Sequence, residues 1–207
     1  MTVEPSRSIE IERTFDVEAE TPLPDLWTLP GVASVSQPEL RELDALYLDV
    51  YDYALGRAGY ALRRRTGGPD EGWHLKGPRS ADGSRVELHW PLGESEDIPE
   101  ALATVVSGVV AGELSPIARI RNTRNAYHLR DVSGGVIAEF VDDRVRARDE
   151  RQGVDRAWRE WEFELGAAAP ADAVGRTELF AAVEAAVRRV GGAPAASPSK
   201  LGRALGL

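Results

Sequence analysis

The run Arg159-Glu160-Trp161-Glu162-Phe163-Glu164-Leu165 alternates without a break: Trp161, Phe163 and Leu165 share one face, and Glu160, Glu162 and Glu164 the other. A period of two belongs to a strand with one buried face; a helix would repeat every three to four residues. Near the N-terminus, Ser8 to Val17 repeats the pattern, setting Ile9, Ile11, Phe15 and Val17 against Glu10, Glu12, Thr14 and Asp16. Between these runs, Leu62 and Arg64 oppose Arg63 and Arg65, Trp73 and Leu75 oppose His74 and Lys76, and Val86, Leu88 and Trp90 oppose Arg85, Glu87 and His89. Ala118 to Arg121, Ala126 to Asp131 and Val136 to Val141 read the same way. Turn signals at Gly67-Gly68-Pro69-Asp70, Asp82-Gly83 and Ser133-Gly134-Gly135 make the connections short, so neighbouring strands are expected to pair antiparallel. Helical spacing predicts helices over Glu100 to Leu114 and Thr177 to Val190. After an Ala/Gly/Pro/Ser linker from Gly191 to Pro198, a short helix from Ser199 to Leu207 is expected, started by a serine cap. The expected class is α+β, as one domain over residues 1–207.

Composition narrows the function. The chain has 207 residues, 43% hydrophobic and 29% charged, which suits a globular domain with a sizeable core. A net charge of -9 argues against nucleic acid or an anionic membrane as partner, since both attract excess positive charge. No stretch approaches the roughly 18 apolar residues of a membrane span. Met1 to Ile11 carries Glu4, Arg7 and Glu10 and no apolar block, so no secretory signal is expected. The absence of cysteine removes disulfides, thiolate nucleophiles and zinc-thiolate sites, and fits a cytoplasmic location. His74, His89 and His128 are too scattered for a histidine metal site. The expected assembly is a monomer or homodimer.

The polar faces are sorted by sign. Glu10, Glu12, Glu160, Glu162 and Glu164 come from the outer strands of the sequence, and Arg63, Arg65, Lys76, Arg85, Arg119 and Arg121 from the middle ones. An ordinary sheet wets its polar face, and that is the simplest reading of each strand alone. If the apolar faces pack on helices, however, the charges converge inside a closed or cupped sheet, a barrel of roughly eight strands with a polar lumen. Crowded guanidinium groups demand an anion and crowded carboxylates a cation, and a polyphosphate with Mg²⁺ or Mn²⁺ satisfies both. Of the 25 basic residues only Lys76 and Lys200 are lysine. Trp27, Trp73, Trp90, Trp158 and Trp161 read as packing against helices, Arg144, Arg146 and Arg148 as a solvated hairpin, and Tyr47, Tyr51 and Tyr53 as helix packing.

Glu10-Ile11-Glu12-Arg13-Thr14-Phe15 resembles the ExExK signature of the CYTH domain, the triphosphate tunnel metalloenzyme group. The resemblance continues in order through Tyr47-Leu48-Asp49, Ala61 to Arg65, Trp73 to Pro78, Arg85-Val86-Glu87, Arg119 to Arg124, Ala138 to Asp143, Trp158 to Leu165 and Ser199-Lys200-Leu201. It implies a closed tunnel of eight antiparallel strands with helices outside and the C-terminal helix completing it. It also implies hydrolysis of inorganic triphosphate, thiamine triphosphate or a nucleoside triphosphate. By that resemblance Glu10, Glu12, Glu162 and Glu164 coordinate Mg²⁺ or Mn²⁺, with Asp143 and Glu87 as additional ligands. Arg63, Arg65, Lys76, Arg85, Arg124 and Lys200 hold phosphates, joined from the lumen or its rim by Arg119 and Arg121. Glu10, Glu12, Lys76, Glu162 and Glu164 are then the catalytic set.

Thr14 stands where the family carries lysine. It keeps a hydroxyl on the inward face but supplies no charge, and Arg119 or Arg121 is the expected compensation. The loss keeps two alternatives open beside a triphosphatase: a module that binds a polyphosphate or nucleotide without turnover, and, ranked last, an adenylate cyclase of class IV type.

Overall fold

The N-terminal run forms two strands, β1 (Ser6–Glu10) and β2 (Glu12–Val17), parted by Ile11 alone in a computed structural model that describes residues 4–93 and 95–207. Long strands follow at β4 (Glu39–Asp49), β5 (Ala61–Thr66), β6 (Gly72–Arg79), β7 (Arg85–Pro91), β8 (Ser115–Arg130), β9 (Val136–Asp149) and β10 (Val154–Leu165), with two-residue bridges at β3 (Ser34–Val35) and β11 (Ala193–Pro194). Every pairing is antiparallel, in the order β1-β7-β6-β5-β4-β8-β9-β10-β2-β11, with β3 on β8. The result is an α+β fold built on a curled antiparallel sheet with a few helices.

The expected closed eight-stranded barrel differs from what is seen, an open hydrogen-bonded path in which no ladder among the described residues joins β1 to β2. The cause is local. Glu10 pairs with Arg85 on β7, whereas Glu12 pairs with Glu164 on β10, and the Ile11 carbonyl between them accepts from the Leu165 amide at 3.0 Å. One short segment thus supplies strands near both ends of the sheet, which forces the sheet to curl.

Two of the helices, α2 (Glu100–Ser107) and α3 (Ala173–Arg189), cover the outer face. α2 is shorter than its apolar spacing suggests because Gly108 ends it. α3 begins earlier than expected, the Asp172 carboxylate accepting from the Gly175 amide at 2.8 Å. α4 (Lys200–Leu205) starts at the expected serine, Ser199 Oγ accepting from the Gly202 amide at 3.0 Å. A fourth helix that the sequence does not announce, α1 (Ala54–Arg57), is held by the buried Asp49 carboxylate, which accepts from the amides of Leu55 and Gly56.

Three apolar clusters fix this arrangement. Phe15, Phe140, Trp161 and Phe163 pack with Leu179, Phe180, Val183 and Val187 of α3. Leu62, Trp73, Leu75 and Trp90 pack with Leu102 and Val106 of α2. Trp27, by contrast, is 61% exposed and packs on neither helix, and Ile9 is left 59% exposed at the sheet edge. The third cluster joins Ile117, Ile120, Val145 and Ala147 to Ala204, Leu201 and Leu205, so α4 seats on the inner side of β8 and β9.

Candidate functional site

The concave side of the sheet encloses a cavity of about 530 Å³. Arg63 and Arg65 reach it from β5, Lys76 and Arg79 from β6, Arg85 from β7, Arg124 from β8 and Lys200 from the start of α4. Glu10, Glu12 and Thr14 come from β1 and β2, Glu139 from β9, and Glu162 and Glu164 from β10. Alternation delivers them most plainly on β10, where Glu162 and Glu164 are flanked by Trp161, Phe163 and Leu165, which pack in the cluster under α3.

Each cation has an acidic or carbonyl partner. Lys76 Nζ donates to Glu10 Oε2 at 2.6 Å. Arg124 forks onto Asp143 at 2.8 and 2.7 Å and onto Glu162 at 2.8 Å. Lys200 Nζ lies 2.5 Å from Glu162 and 2.9 Å from Asp143, and it also contacts Glu160. Arg65 pairs with Asp70 in the β5–β6 turn. That turn needs glycine: Gly67 has φ +78°, and a Cβ there would lie 2.0 Å from the Glu42 carbonyl oxygen.

The acids divide into two electrostatic groups. Burial pushes the carboxyls of Asp143 and Glu162 up, but Arg124 and Lys200 outweigh it and hold both below the usual carboxylate range. Glu10 goes the other way: burial, then its contact with Glu87, raises it to about 8 against the pull of Lys76. Glu164 is raised to about 7 by burial and by the charges of Glu12, Glu162 and Glu139, with Lys76 opposing. Among the cations, burial and the neighbouring Arg63 bring Arg65 down to about 10.

The division bears on which carboxylates could meet a divalent cation. Asp143, Glu160 and Glu162 bring oxygens within 4.8 Å of one another, yet Lys200 and Arg124 already neutralise that cluster. Glu164 and Glu10 carry raised carboxyls beside Glu12, which has Arg79 at 3.0 Å. Carboxylate oxygens are hard donors of the kind that Mg²⁺ or Mn²⁺ takes; of the other cavity acids, Glu10 and Glu12 each meet a cation, Lys76 at 2.6 Å and Arg79 at 3.0 Å, and Glu164 forms no ion pair among the described residues.

Several expected positions change. Arg119 and Arg121 are not in the cavity; they project outward from β8, 46% and 60% exposed, and share Asp44. The inward stripe of that strand is Ile120, Asn122 and Arg124, because α4 needs Ile117 and Ile120 as its seat. They therefore cannot compensate for Thr14, which does face the cavity, opposite Glu162. Glu87 and Asp143 lie behind the lining: Glu87 meets His74 Nδ1 at 2.7 Å, and Asp143 is fully buried. Tyr47 and Tyr53 line the cavity and also belong to the apolar cluster that seats α4, whereas Tyr51 is 89% exposed.

Other lining residues were not visible in the sequence. Arg79 lies past an irregularity in the β6–β7 ladder, which breaks the alternation that would have placed it. Arg41 and Glu139, paired at 3.1 Å, line the cavity from β4 and β9. The Arg41-Glu42 and Ala138-Glu139-Phe140 alternations were the available signal.

With this geometry in place, comparison with known proteins identifies the family. Residues 8–181 match the CYTH domain. The chain is 37% identical over 214 residues to the uncharacterized protein Rv2226 of Mycobacterium tuberculosis strain H37Rv, covering 98% of this chain and 41% of that protein. The uncharacterized protein MT2285 of strain CDC 1551 matches equally. The chain thus spans about two-fifths of the length of these relatives. Among solved structures, a Bacillus halodurans protein assigned as an adenylate cyclase superposes with a TM-score of 0.63 at 17% identity, covering 95% of this chain and 97% of that one. The Hippeastrum protein HpAC1, assigned as an adenylyl cyclase and reported with a dominant triphosphatase activity, gives 0.54 at 17% identity over 95% and 94%. These low identities show a shared fold; with the family match and the 37% relatives, they establish that this chain belongs to the CYTH domain family.

Proposed function

We propose that this domain hydrolyses a triphosphate in the cavity, with a divalent metal. The observation that carries the reading is the gathering of both charges in one cavity: Arg63, Arg65, Lys76, Arg85 and Arg124 line it together with Glu10, Glu12 and Glu164. Hydrolysis of a phosphoanhydride spreads negative charge over the transferred phosphoryl and the leaving group, and fixed cations aimed at both lower the barrier. Arg63 and Arg65 supply planar guanidinium forks, and Lys76 a compact ammonium, held in place by Glu10. In this reading β1, β2 and the curled sheet wrap the bound chain of phosphates as a tunnel, and α4 shuts one end with Leu201 and Leu205. Glu10, Glu12, Glu164 and Glu162 would hold Mg²⁺ or Mn²⁺, which supplies charge neutralisation and a lowered pKa for a bound water.

The distinguishing experiment resolves products from tripolyphosphate, thiamine triphosphate and ATP, each with Mg²⁺ and with Mn²⁺. Orthophosphate release from one or more of them supports the triphosphatase. Cyclic AMP from ATP identifies a cyclase, and tight binding without any product identifies a binding module, the reading that Thr14 favours.

Two further expectations belong to this site. Mg²⁺ affinity tightens as pH rises from about 6 to 9, because Glu164, raised to about 7, and Glu10, raised to about 8, must lose protons to bind a cation. Calorimetry across that range checks it through the proton release that accompanies binding. The sign for stability is opposite: raised carboxyl pKa values favour the metal-free fold below the unfolded value and cost stability as pH rises through 7 to 8. Thr14→Lys places an ammonium on the inward face opposite Glu162, and tripolyphosphate affinity is expected to rise by about tenfold or more, measured by calorimetry.

A further inference from the structure

On the outer wall of β8 and β9, arginines face one another directly: Arg119 stands opposite Arg148, and Arg121 opposite Arg146. Like charges directly across an antiparallel ladder are destabilising. With Arg156 these residues line a concavity of about 520 Å³, which they share with the acids Glu150 and Asp155. The chain as a whole is strongly acidic, at -9, so this patch reverses the sign of its surroundings.

Neutralisation here is incomplete. Asp44 serves both Arg119 and Arg121, and Asp155 and Glu150 serve Arg148. Arg146 forms no ion pair among the described residues. The helices leave the patch bare, since α2 packs with β5, β6 and β7, and α3 with β2, β9 and β10 beyond it.

We propose that this concavity is a second anion site, separate from the cavity, for a small molecule carrying two or more phosphate groups. Guanidinium forks match phosphate oxygens two at a time. Their spacing, about 4.8 Å between strands and about 6.8 Å between alternate residues, suits one anion bridging several arginines. The flanking Glu150 and Asp155 and the negative charge of the rest of the chain favour a compact anion over a duplex nucleic acid.

The test is a calorimetric titration of tripolyphosphate into the full chain without metal, beside the variants Lys76→Ala and Arg146→Ala/Arg148→Ala, with duplex DNA as a second titrant. Two binding events are expected in the wild type. The double arginine variant should weaken one of them by about tenfold or more, because two charge-assisted contacts are lost, and Lys76→Ala should leave that event in place. The side chains removed are exposed, and circular dichroism confirms that the variant is folded. Every event left unchanged in the arginine variant, or binding of the duplex at this patch without a tripolyphosphate event there, would overturn the proposal, whereas a single event that the arginine variant weakens and Lys76→Ala leaves in place would support it and count against the cavity alone.

Discussion

Lys200→Met is expected to lower the stability of the fold by about 3–5 kcal/mol, the usual cost of removing one partner from a buried ionic cluster. The Lys200 ammonium touches Asp143, Glu160 and Glu162 at once, and Asp143 and Glu160 are nearly inaccessible to water. Without it, Arg124 is left to serve Asp143 and Glu162, and Glu160 keeps the Trp158 indole and Arg203 at 4.0 Å. The pH dependence identifies the cause. In the wild type Asp143 and Glu162 titrate below their ordinary values, so their contribution to stability is present above the unfolded pKa and lost as pH falls through the folded one. In the variant the stranded carboxyls rise, and the deficit should be largest near neutral pH and shrink on acidification. Urea melts at several pH values check this, and at neutral pH the melting temperature should drop on the order of 10 °C. A deficit of the same size at every pH would mean that methionine simply packs badly beneath α4.

Lys76→Ala is expected to cost turnover about 10²–10³-fold, the range seen when one preorganised donor to a developing negative charge is removed. Lys76 is held between Glu10 and Glu87 on the cavity wall, and both carboxylates raise its pKa against the effect of burial, so it stays charged. Its loss removes a cation from the phosphate path and leaves Glu10 without its 2.6 Å partner. Lys76→Arg should recover part of the rate, since charge returns without the compact reach of an ammonium. Steady-state kinetics on whichever triphosphate turns over fastest provides the measurement, and an unchanged rate in Lys76→Ala would remove this residue from the catalytic set.

The parts of the fold that the sequence made legible are those where burial is one-sided. β2, β5, β6, β7 and β10 each carry large apolar residues against α2 or α3, and a one-residue slip would bury their charges under a helix, so the alternation fixes the inward set. β8 misleads because both of its faces are mixed: the inner one turns apolar where α4 docks, and the arginines that looked like lining stand outside. α1 escapes because it is held by a single carboxylate, Asp49, and not by a periodic apolar stripe. The division of the acids escapes for a similar reason. Glu162 and Glu164 are alike in sequence, and only the arrival of Lys200 and Arg124 beside the first pushes their pKa values apart.

Phosphate release from tripolyphosphate, followed while Mg²⁺ is added stepwise and then withdrawn by EDTA, bears most directly on the gathering of carboxylates and cations in one cavity. The account predicts release that rises with Mg²⁺, falls on chelation, and is suppressed in both Glu164→Gln and Lys76→Ala. Release that is indifferent to the metal, or that survives both substitutions, would contradict it.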